Sequence, residues 1–566
     1  MTFHNEPNHF LTENLMHGGD WRAFELAVCR LLSHCGWTNV QYVGQPGDKG
    51  ADILAVGLEP TTKNSTSFLF QAKSVTSSSH VGKAAIDEAI QGQAHYQAKV
   101  VVVVSNGEFT KSAYQRRDQL LSQGFNVKLW NGKFLLKLVE KSPELSRDWK
   151  PLRQYQSDIV DTITCGYKNG RQKALFIVAT GLGKTVVASS IAAHLYKSGL
   201  RRVLVLCHAT DLAFQLQKTF WTQLPKQIPT RLFMEGEPPI PMEGVNFGLY
   251  QTLFSYLGGI DPTAFDLIIV DEAHHAMANA FSTCIEHLKP KLLIGMTATP
   301  WRGDGESIES IFGEPVAKMS LIDGMRKGFL AKVDYRLMCD NIDWKEIPNL
   351  AKKSLTIRDL NKRLFLPQRD DAVIAKIQEV TTSIHNPRIA VFSSSKKHAG
   401  LFAEKLVSAG IPAANLSIDD KIKRRAMLLN FSAGVIKAVT AVDVLNEGID
   451  VPDVNLLVFL RATHSRRIFV QQLGRGLRLA PGKDCVIVLD FVSDIRRIAA
   501  VCELDREARA EPKPSEIETV ILRGGVVTFS DEKAQKFVNA WINDVASLED
   551  SDDVEKLAFP EIGDMT

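Results

Sequence analysis

The chain has 566 residues, which at roughly 150 residues per domain points to three or four domains. Hydrophobic residues make up 45% and charged residues 23%, and 67 Lys+Arg nearly balance 64 Asp+Glu for a net charge of +3. That profile excludes a disordered, a collagen-like or a small disulfide-stapled chain, and the charge is too small to announce nucleic-acid binding by itself. The eight cysteines are scattered with no C-x-x-C pair, which argues against a zinc ribbon or an iron–sulfur cluster and fits reduced core thiols. No apolar stretch approaches the roughly 18 residues of a membrane span. The N-terminus lacks the basic start and apolar core of a signal peptide, so a soluble, cytoplasmic protein with no membrane partner is expected.

In chain order, residues 20–35 place Phe24, Val28, Leu31 and Leu32 at helical spacing, and Gly36 can end that helix as a left-handed cap. Strand-like runs follow at 39–43, 52–56 and 68–73. A helix is expected over 81–96, and the valine run 100–104 reads as a fully buried strand. A second helix over 111–122 and a strand over 127–130 close this unit, and the polar stretch 141–150 reads as a linker.

Within that unit, Gly47-Asp48-Lys49-Gly50-Ala51-Asp52 is a glycine-bracketed turn that delivers Asp52 to a strand. In 68–73 the period of two puts Gln71 and Lys73 on one face, opposite Phe70 and Ala72. If the two strands pair, Asp52, Gln71 and Lys73 converge. An acid and an amide oxygen can hold Mg²⁺, while the ammonium holds the attacking water and the scissile phosphate. Asp48 reads as a turn former. The segment 15–140 resembles the Mrr-like restriction endonucleases of the PD-(D/E)-x-K fold, through Phe24-Glu25, the 47–52 turn, Gln71-Ala72-Lys73-Ser74 and Phe109-Thr110-Lys111-Ser112-Ala113. Gln71 departs from the acidic residue of the wider fold, although the resemblance implies that glutamine is a common form here. Glu25 either supplies the missing charge or is a capping or solvated glutamate.

From about 151 to 500 short apolar strands alternate with helices, at 174–178, 202–206, 267–270, 292–296, 388–392, 435–440, 454–460 and 485–489. That rhythm indicates two open parallel α/β sheets. The first strand runs into Ala179-Thr180-Gly181-Leu182-Gly183-Lys184-Thr185 and a helix, a cradle for phosphates. Backbone N–H groups at Thr180, Gly181 and Gly183 face the phosphates, Lys184 neutralises them and the Thr185 hydroxyl binds Mg²⁺. Val178 stands where the strict motif has its first glycine. The apolar strand 267–270 ends in Asp271-Glu272-Ala273-His274, so Asp271 can hold the Mg²⁺ and Glu272 can deprotonate the attacking water.

At these residues the chain resembles the superfamily-two helicases and translocases, over about 150–500. The resemblance implies that Gln156, in Arg153-Gln154-Tyr155-Gln156, reads the adenine edge, and that Thr297-Ala298-Thr299-Pro300 couples hydrolysis to movement. It implies that Asp450, in the 440–452 segment, touches ribose and nucleic acid. Gln471-Gln472-Leu473-Gly474-Arg475-Gly476-Leu477-Arg478 matches Q-x-x-G-R-x-x-R, with Gln471 near the γ-phosphate and Arg475 and Arg478 as arginine fingers. The surrounding sequence favours the XPB-like and type I restriction motor branch. His275 reads as incidental, and Trp221 and Trp344 as core or interface residues. Lys421, Lys423, Arg424 and Arg425 either contact phosphates or form a solvated face.

The expected architecture is α/β throughout. A restriction-endonuclease-like domain at 1–145 precedes two RecA-like lobes at 146–315 and 371–505, joined by a connector at 316–370. An extension with an acidic tail fills 506–566. The expected function is an ATP- and Mg²⁺-dependent DNA motor fused to a DNA endonuclease, acting on double-stranded DNA in restriction of foreign DNA or anti-phage defence. Two alternatives stay open: a repair or remodelling helicase whose front domain only grips DNA, and a subunit active with protein partners in a larger complex.

Overall fold

In the computed structural model, the described residues are 9–44, 49–58, 65–76, 79–233, 238–276, 279–298, 308–338, 370–393, 395–442, 454–460, 477, 479, 483, 485–491 and 520–522. Asp48, Thr299, Pro300, Trp344, Asp450, Gln471, Arg475, Arg478 and the acidic tail lie outside them, as do the side chains of Lys421 and Arg425. No helix among the described residues is long and apolar enough to cross a membrane.

After a single helical turn at Glu13–Met16, helix α1 (Trp21–His34) starts where the Asp20 carboxylate accepts from the N–H groups of Arg22 and Ala23 at 3.0 and 3.2 Å. It ends at Gly36, whose φ of +84° allows Trp37 N to reach the Leu32 carbonyl at 3.0 Å. Five strands form the sheet beside it, in spatial order β1 (Thr38–Tyr42), β2 (Ile53–Leu58), β3 (Ser65–Lys73), β4 (Val100–Ser105) and β5 (Val127–Trp130). The first three pair antiparallel and the rest parallel. The valines of β4 are buried on both faces because β4 has a strand on each side and helices pack on the sheet. Helix α2 (Ala84–Tyr96) is shorter than the expected 81–96, because Val81 instead pairs with Phe109 in a two-residue ribbon. After α3 (Lys111–Ser122), helix α4 (Gly132–Lys141) continues the domain beyond the last strand expected.

His34 is buried in the last turn of α1 against the Phe10 ring. Burial chiefly, and then the neighbouring Arg30 charge, pushes its pKa down to about 3. The unfolded chain titrates near 6.5, so as pH falls from 6.5 towards 3 the unfolded state binds the extra proton. Stability should then drop by about 1.4 kcal/mol per pH unit across that window. Thermal melts from pH 7 to 4 should show a steeper loss for the wild type than for His34→Leu. Equal pH dependence in the two proteins would remove His34 as the cause.

The second sheet has seven strands. Its members are β6 (Lys173–Val178), β7 (Arg202–Cys207), β8 (Thr230–Leu232), β9 (Gly244–Leu249), β10 (Leu267–Asp271), β11 (Leu292–Thr297) and β12 (Pro315–Met319). They stand in the order β8-β9-β7-β10-β11-β6-β12. The pairs β8–β9, β9–β7, β7–β10 and β10–β11 are parallel. Helix α5 (Gln154–Lys168) precedes β6, α6 (Lys184–Lys197) follows it and α7 (Thr210–Gln223) follows β7. Trp221 of α7 is fully buried, its Nε1 donating to the Thr230 hydroxyl at 2.9 Å.

The third sheet also has seven strands. They are β13 (Lys332–Met338), β14 (Ile389–Phe392), β15 (Ala413–Asn415), β16 (Ala438–Ala441), β17 (Leu456–Phe459), β18 (Cys485–Phe491) and β19 (Val520–Leu522). Their order is β15-β16-β14-β17-β18-β13-β19. Helices α8 (Asp370–Thr381), α9 (Lys396–Ser408) and α10 (Lys421–Ala433) belong to this lobe. Strand β13, from the stretch expected as a connector, pairs with β18 over its whole length. Strand β16 begins three residues later than expected, because Gly434 turns the chain at φ +84° and Val435 is exposed. The Thr440 hydroxyl donates to the Ala399 carbonyl at 2.7 Å, fixing the strand end to α9.

Two candidate active sites

The register Ile53↔Phe70 sets Asp52 opposite Gln71 at the mouth of the β2–β3 pair. Asp52 N donates to the Phe70 carbonyl at 2.9 Å, and Val43 N and Gly44 N donate to the Asp52 carbonyl at 2.7 and 3.1 Å. The side chains meet directly. Asp52 Oδ2 accepts from Gln71 Nε2 at 2.7 Å and from Ala72 N at 2.6 Å, and both residues are about 95% buried. Gln71 Oε1 is buried and has no hydrogen-bond partner among the described residues. A buried amide oxygen without a donor, beside a buried carboxylate, is the donor set a hard cation takes. Asp52 and Gln71 therefore fit Mg²⁺.

Lys73 shares the Gln71 face of β3, as the period of two requires, and its Nζ lies 2.6 Å from Glu88 Oε2 on α2. Glu88 carries no motif and is not read from the sequence. Its placement depends on two glycines: a Cβ on Gly50 would stand 2.2 Å from the Glu88 carbonyl, and one on Gly92 would stand 2.8 Å from the Gly50 carbonyl. Gly50 also has φ +84°, so both space and backbone demand glycine there. The only local signal is Gly92 inside a helical pattern, which marks close backbone approach. Glu25 of α1 is buried and accepts from the Tyr42 hydroxyl at 2.8 Å. Burial, then the Glu25 charge, keeps that phenol protonated.

At the second site, Val178 leads into a loop with Gly181 and Gly183 at φ +88° and +83°, and Lys184 is the first residue of α6. The Lys184 ammonium lies 3.0 Å from Asp271 Oδ1 and also contacts Glu272 Oε1. Burial alone would push Lys184 down, but the two carboxylates outweigh it and hold the ammonium charged. Burial pushes the Asp271 carboxyl up, whereas Lys184 overcomes burial at Glu272 and holds that carboxyl low. The acidic pair already embraces a cation, and Glu272 Oε2 is buried and makes no hydrogen bond among the described residues. With the adjacent Thr185 hydroxyl, this set fits a Mg²⁺–nucleotide.

Glu272 is held at φ +47°, a conformation costly for a side chain with a Cβ. It sits between Lys184 and His274, whose Nδ1 is 3.4 Å from Glu272 Oε2 and 3.0 Å from the Thr297 hydroxyl. His274 thus connects the end of β10 to the end of β11, a role that the Asp271-Glu272-Ala273-His274 motif alone does not disclose. His275 stands beside it, with ring centroids 4.2 Å apart. Gln156 Oε1 accepts from Arg153 N at 3.0 Å, and its Nε2 lies where a Cβ on Gly183 would stand 2.7 Å away. That places Gln156 against the last glycine of the phosphate loop.

Fold and sites together define a nuclease-fold domain joined to a two-lobed nucleotide-dependent motor. Residues 16–139 match the Mrr family described as restriction endonuclease. Residues 150–302 match the type III restriction enzyme res subunit family, and 372–480 match the helicase conserved C-terminal domain. The chain is an Mrr-like PD-(D/E)-x-K endonuclease domain fused to a superfamily-two helicase, a restriction-type architecture.

Similar proteins include the Saccharomyces cerevisiae protein IRC3, 24% identical over 355 residues, covering 60% of this chain and 51% of that protein. The EcoAI endonuclease subunit of the Escherichia coli type I restriction enzyme is 25% identical over 410 residues, 64% of this chain and 49% of that subunit. The chain thus spans about half the length of these two relatives. The DNA-bound type ISP restriction-modification enzyme LlaBIII shares the fold at TM-score 0.51 and 17% identity, covering 93% of this chain and 41% of that one.

Proposed function

We propose that this chain is a cytoplasmic ATP-driven translocase on double-stranded DNA that also cuts DNA with Mg²⁺, in restriction of foreign DNA. The observation that carries the cutting half is the buried Asp52–Gln71 pair with its unsatisfied amide oxygen, beside Lys73 on the same strand face. Asp52 and Gln71 would hold the metal, and the chemistry it would supply there is polarisation of a phosphate. Lys73 neutralises that phosphate and orients the attacking water.

In the motor, Thr185 and Asp271 would hold Mg²⁺, Lys184 would turn from the carboxylates to the β/γ-phosphates, and Glu272 would accept the proton of the attacking water. Thr180, Gly181 and Gly183 line the phosphates, and Gln156 reads the base. Asp450 and Gln471 complete the nucleotide site, and Arg475 and Arg478 serve as arginine fingers. These last four assignments rest on their motifs.

The test is incubation of linear, circular and forked DNA with Mg²⁺, with and without ATP, while ATP hydrolysis is followed in parallel. Metal-dependent cleavage together with DNA-stimulated hydrolysis is expected. Hydrolysis without cutting on every substrate would make the front domain a DNA grip, as in a repair or remodelling helicase. A second reading, a subunit that cuts only with protein partners, is favoured by the likeness to a restriction endonuclease subunit. Cutting restored by a partner protein would select it.

A further inference from the structure

The endonuclease domain and the first lobe are parts of one compact unit, and buried polar groups cross between them. Arg30 of α1 is 1% exposed. Its two terminal nitrogens donate to the carbonyls of Ile228 at 2.7 Å and Pro225 at 2.9 Å, in the turn after α7. The Phe10 ring lies 4.4 Å from the guanidinium carbon. Burial pulls Arg30 down to about 9, which leaves it charged at neutral pH.

From the other side, Lys226 of the same turn donates to the carbonyls of Val139, Glu140 and Ser142 at 3.1, 3.2 and 2.9 Å. These belong to the C-terminal end of α4, where carbonyls lack helical partners and a cation is favoured. Two cations therefore cross the join in opposite directions, each held by backbone oxygens of the other domain. The stretch 141–150 is pinned along the seam: Lys226 N donates to the Glu144 carbonyl at 2.9 Å, and the Ser146 hydroxyl to the Ser33 carbonyl at 3.3 Å. The seam also reaches the nuclease site, since Phe214 of α7 packs on Tyr42 at 5.8 Å and Tyr42 holds Glu25.

We propose that this reciprocal exchange by Arg30 and Lys226 locks the endonuclease domain and the first motor lobe into one rigid body. The Asp52 site then travels with that lobe, and residues 141–150 act as a strap rather than a flexible linker. Domains joined by small polar interfaces ordinarily move against each other. Here, parting would leave a buried guanidinium and several carbonyls without partners, a loss much larger than that of exposed pairs. The inference goes beyond the proposed activity and holds whether or not the site cuts.

The test uses the full chain with a specific protease site inserted between Asp148 and Trp149, both exposed. After cleavage at that site, gel filtration reads whether the two pieces stay together. Wild-type pieces should co-elute. Arg30→Ala should weaken their association by about 100-fold or more, because two charge-assisted hydrogen bonds are lost. Lys226→Ala loses the reverse set and carries the test should Arg30→Ala fold poorly. Wild-type pieces that separate on cutting would overturn the proposal, as would pieces of both variants that stay together as tightly as the wild type. Neither catalytic activity is read, so failure here and failure of the proposed function are separable.

Discussion

Replacing Lys184 with alanine should lower ATP hydrolysis by at least about 10²–10³-fold, the scale set by removing one preorganised charge donor from a closed site. Lys184 is only 14% exposed and lies between the carboxylates of Asp271 and Glu272. Without it, Asp271 loses the pull that opposes burial, and its carboxyl tends towards the neutral form. Under the proposed mechanism the variant therefore loses a phosphate contact and weakens the residue that would hold the metal. Lys184→Met should lose as much activity, which shows that charge and not volume matters. Steady-state hydrolysis with and without DNA is the measurement, and a rate within tenfold of wild type would remove Lys184 from this role. The same variant tested for DNA cutting reports coupling: retained cutting means that hydrolysis does not license the nuclease, and lost cutting means that it does.

Much of this arrangement is legible in the sequence, and the reason is local. Period-two alternation fixes Gln71 and Lys73 on one face without knowledge of the partner strand, and the glycine-bracketed turn marks where Asp52 enters. What alternation does not contain is pairing at a distance. Glu88 reaches Lys73 only because Gly50 and Gly92 let a helix backbone touch a loop. Arg30 looks like one charge on an amphipathic helix, and its acceptors lie 195 and 198 residues away. Strand β9 escapes a reading by pattern because Gly244, Asn246 and Gly248 occupy alternate positions of a buried strand. Asn246 is satisfied there by donating to the Val203 carbonyl at 3.0 Å and the Met242 carbonyl at 2.8 Å. Helix α4 did carry signals, with Asn131 as its cap and Leu135 and Val139 one turn apart on its buried side.

At the nuclease site, Asp52→Asn and Lys73→Ala should each reduce DNA cutting by about 10²–10⁴-fold and leave ATP hydrolysis unchanged. Asp52→Asn keeps the volume but removes the charge that would bind a divalent cation. It also changes the hydrogen bonding, because Asp52 Oδ2 accepts from both Gln71 Nε2 and Ala72 N, and an amide nitrogen turned that way would face two donors. Lys73→Ala removes an ammonium that is one-third exposed, so stability should change by no more than about 1 kcal/mol. Glu88→Gln separates positioning from chemistry. It keeps the size of the side chain, loses the ion pair that aims Lys73, and should slow cutting by about tenfold with an unchanged melting temperature. Full cutting by Lys73→Ala would place the phosphate-neutralising charge elsewhere. Full cutting by Glu88→Gln alone would leave Lys73 in place and show that its aim comes from the DNA rather than from α2.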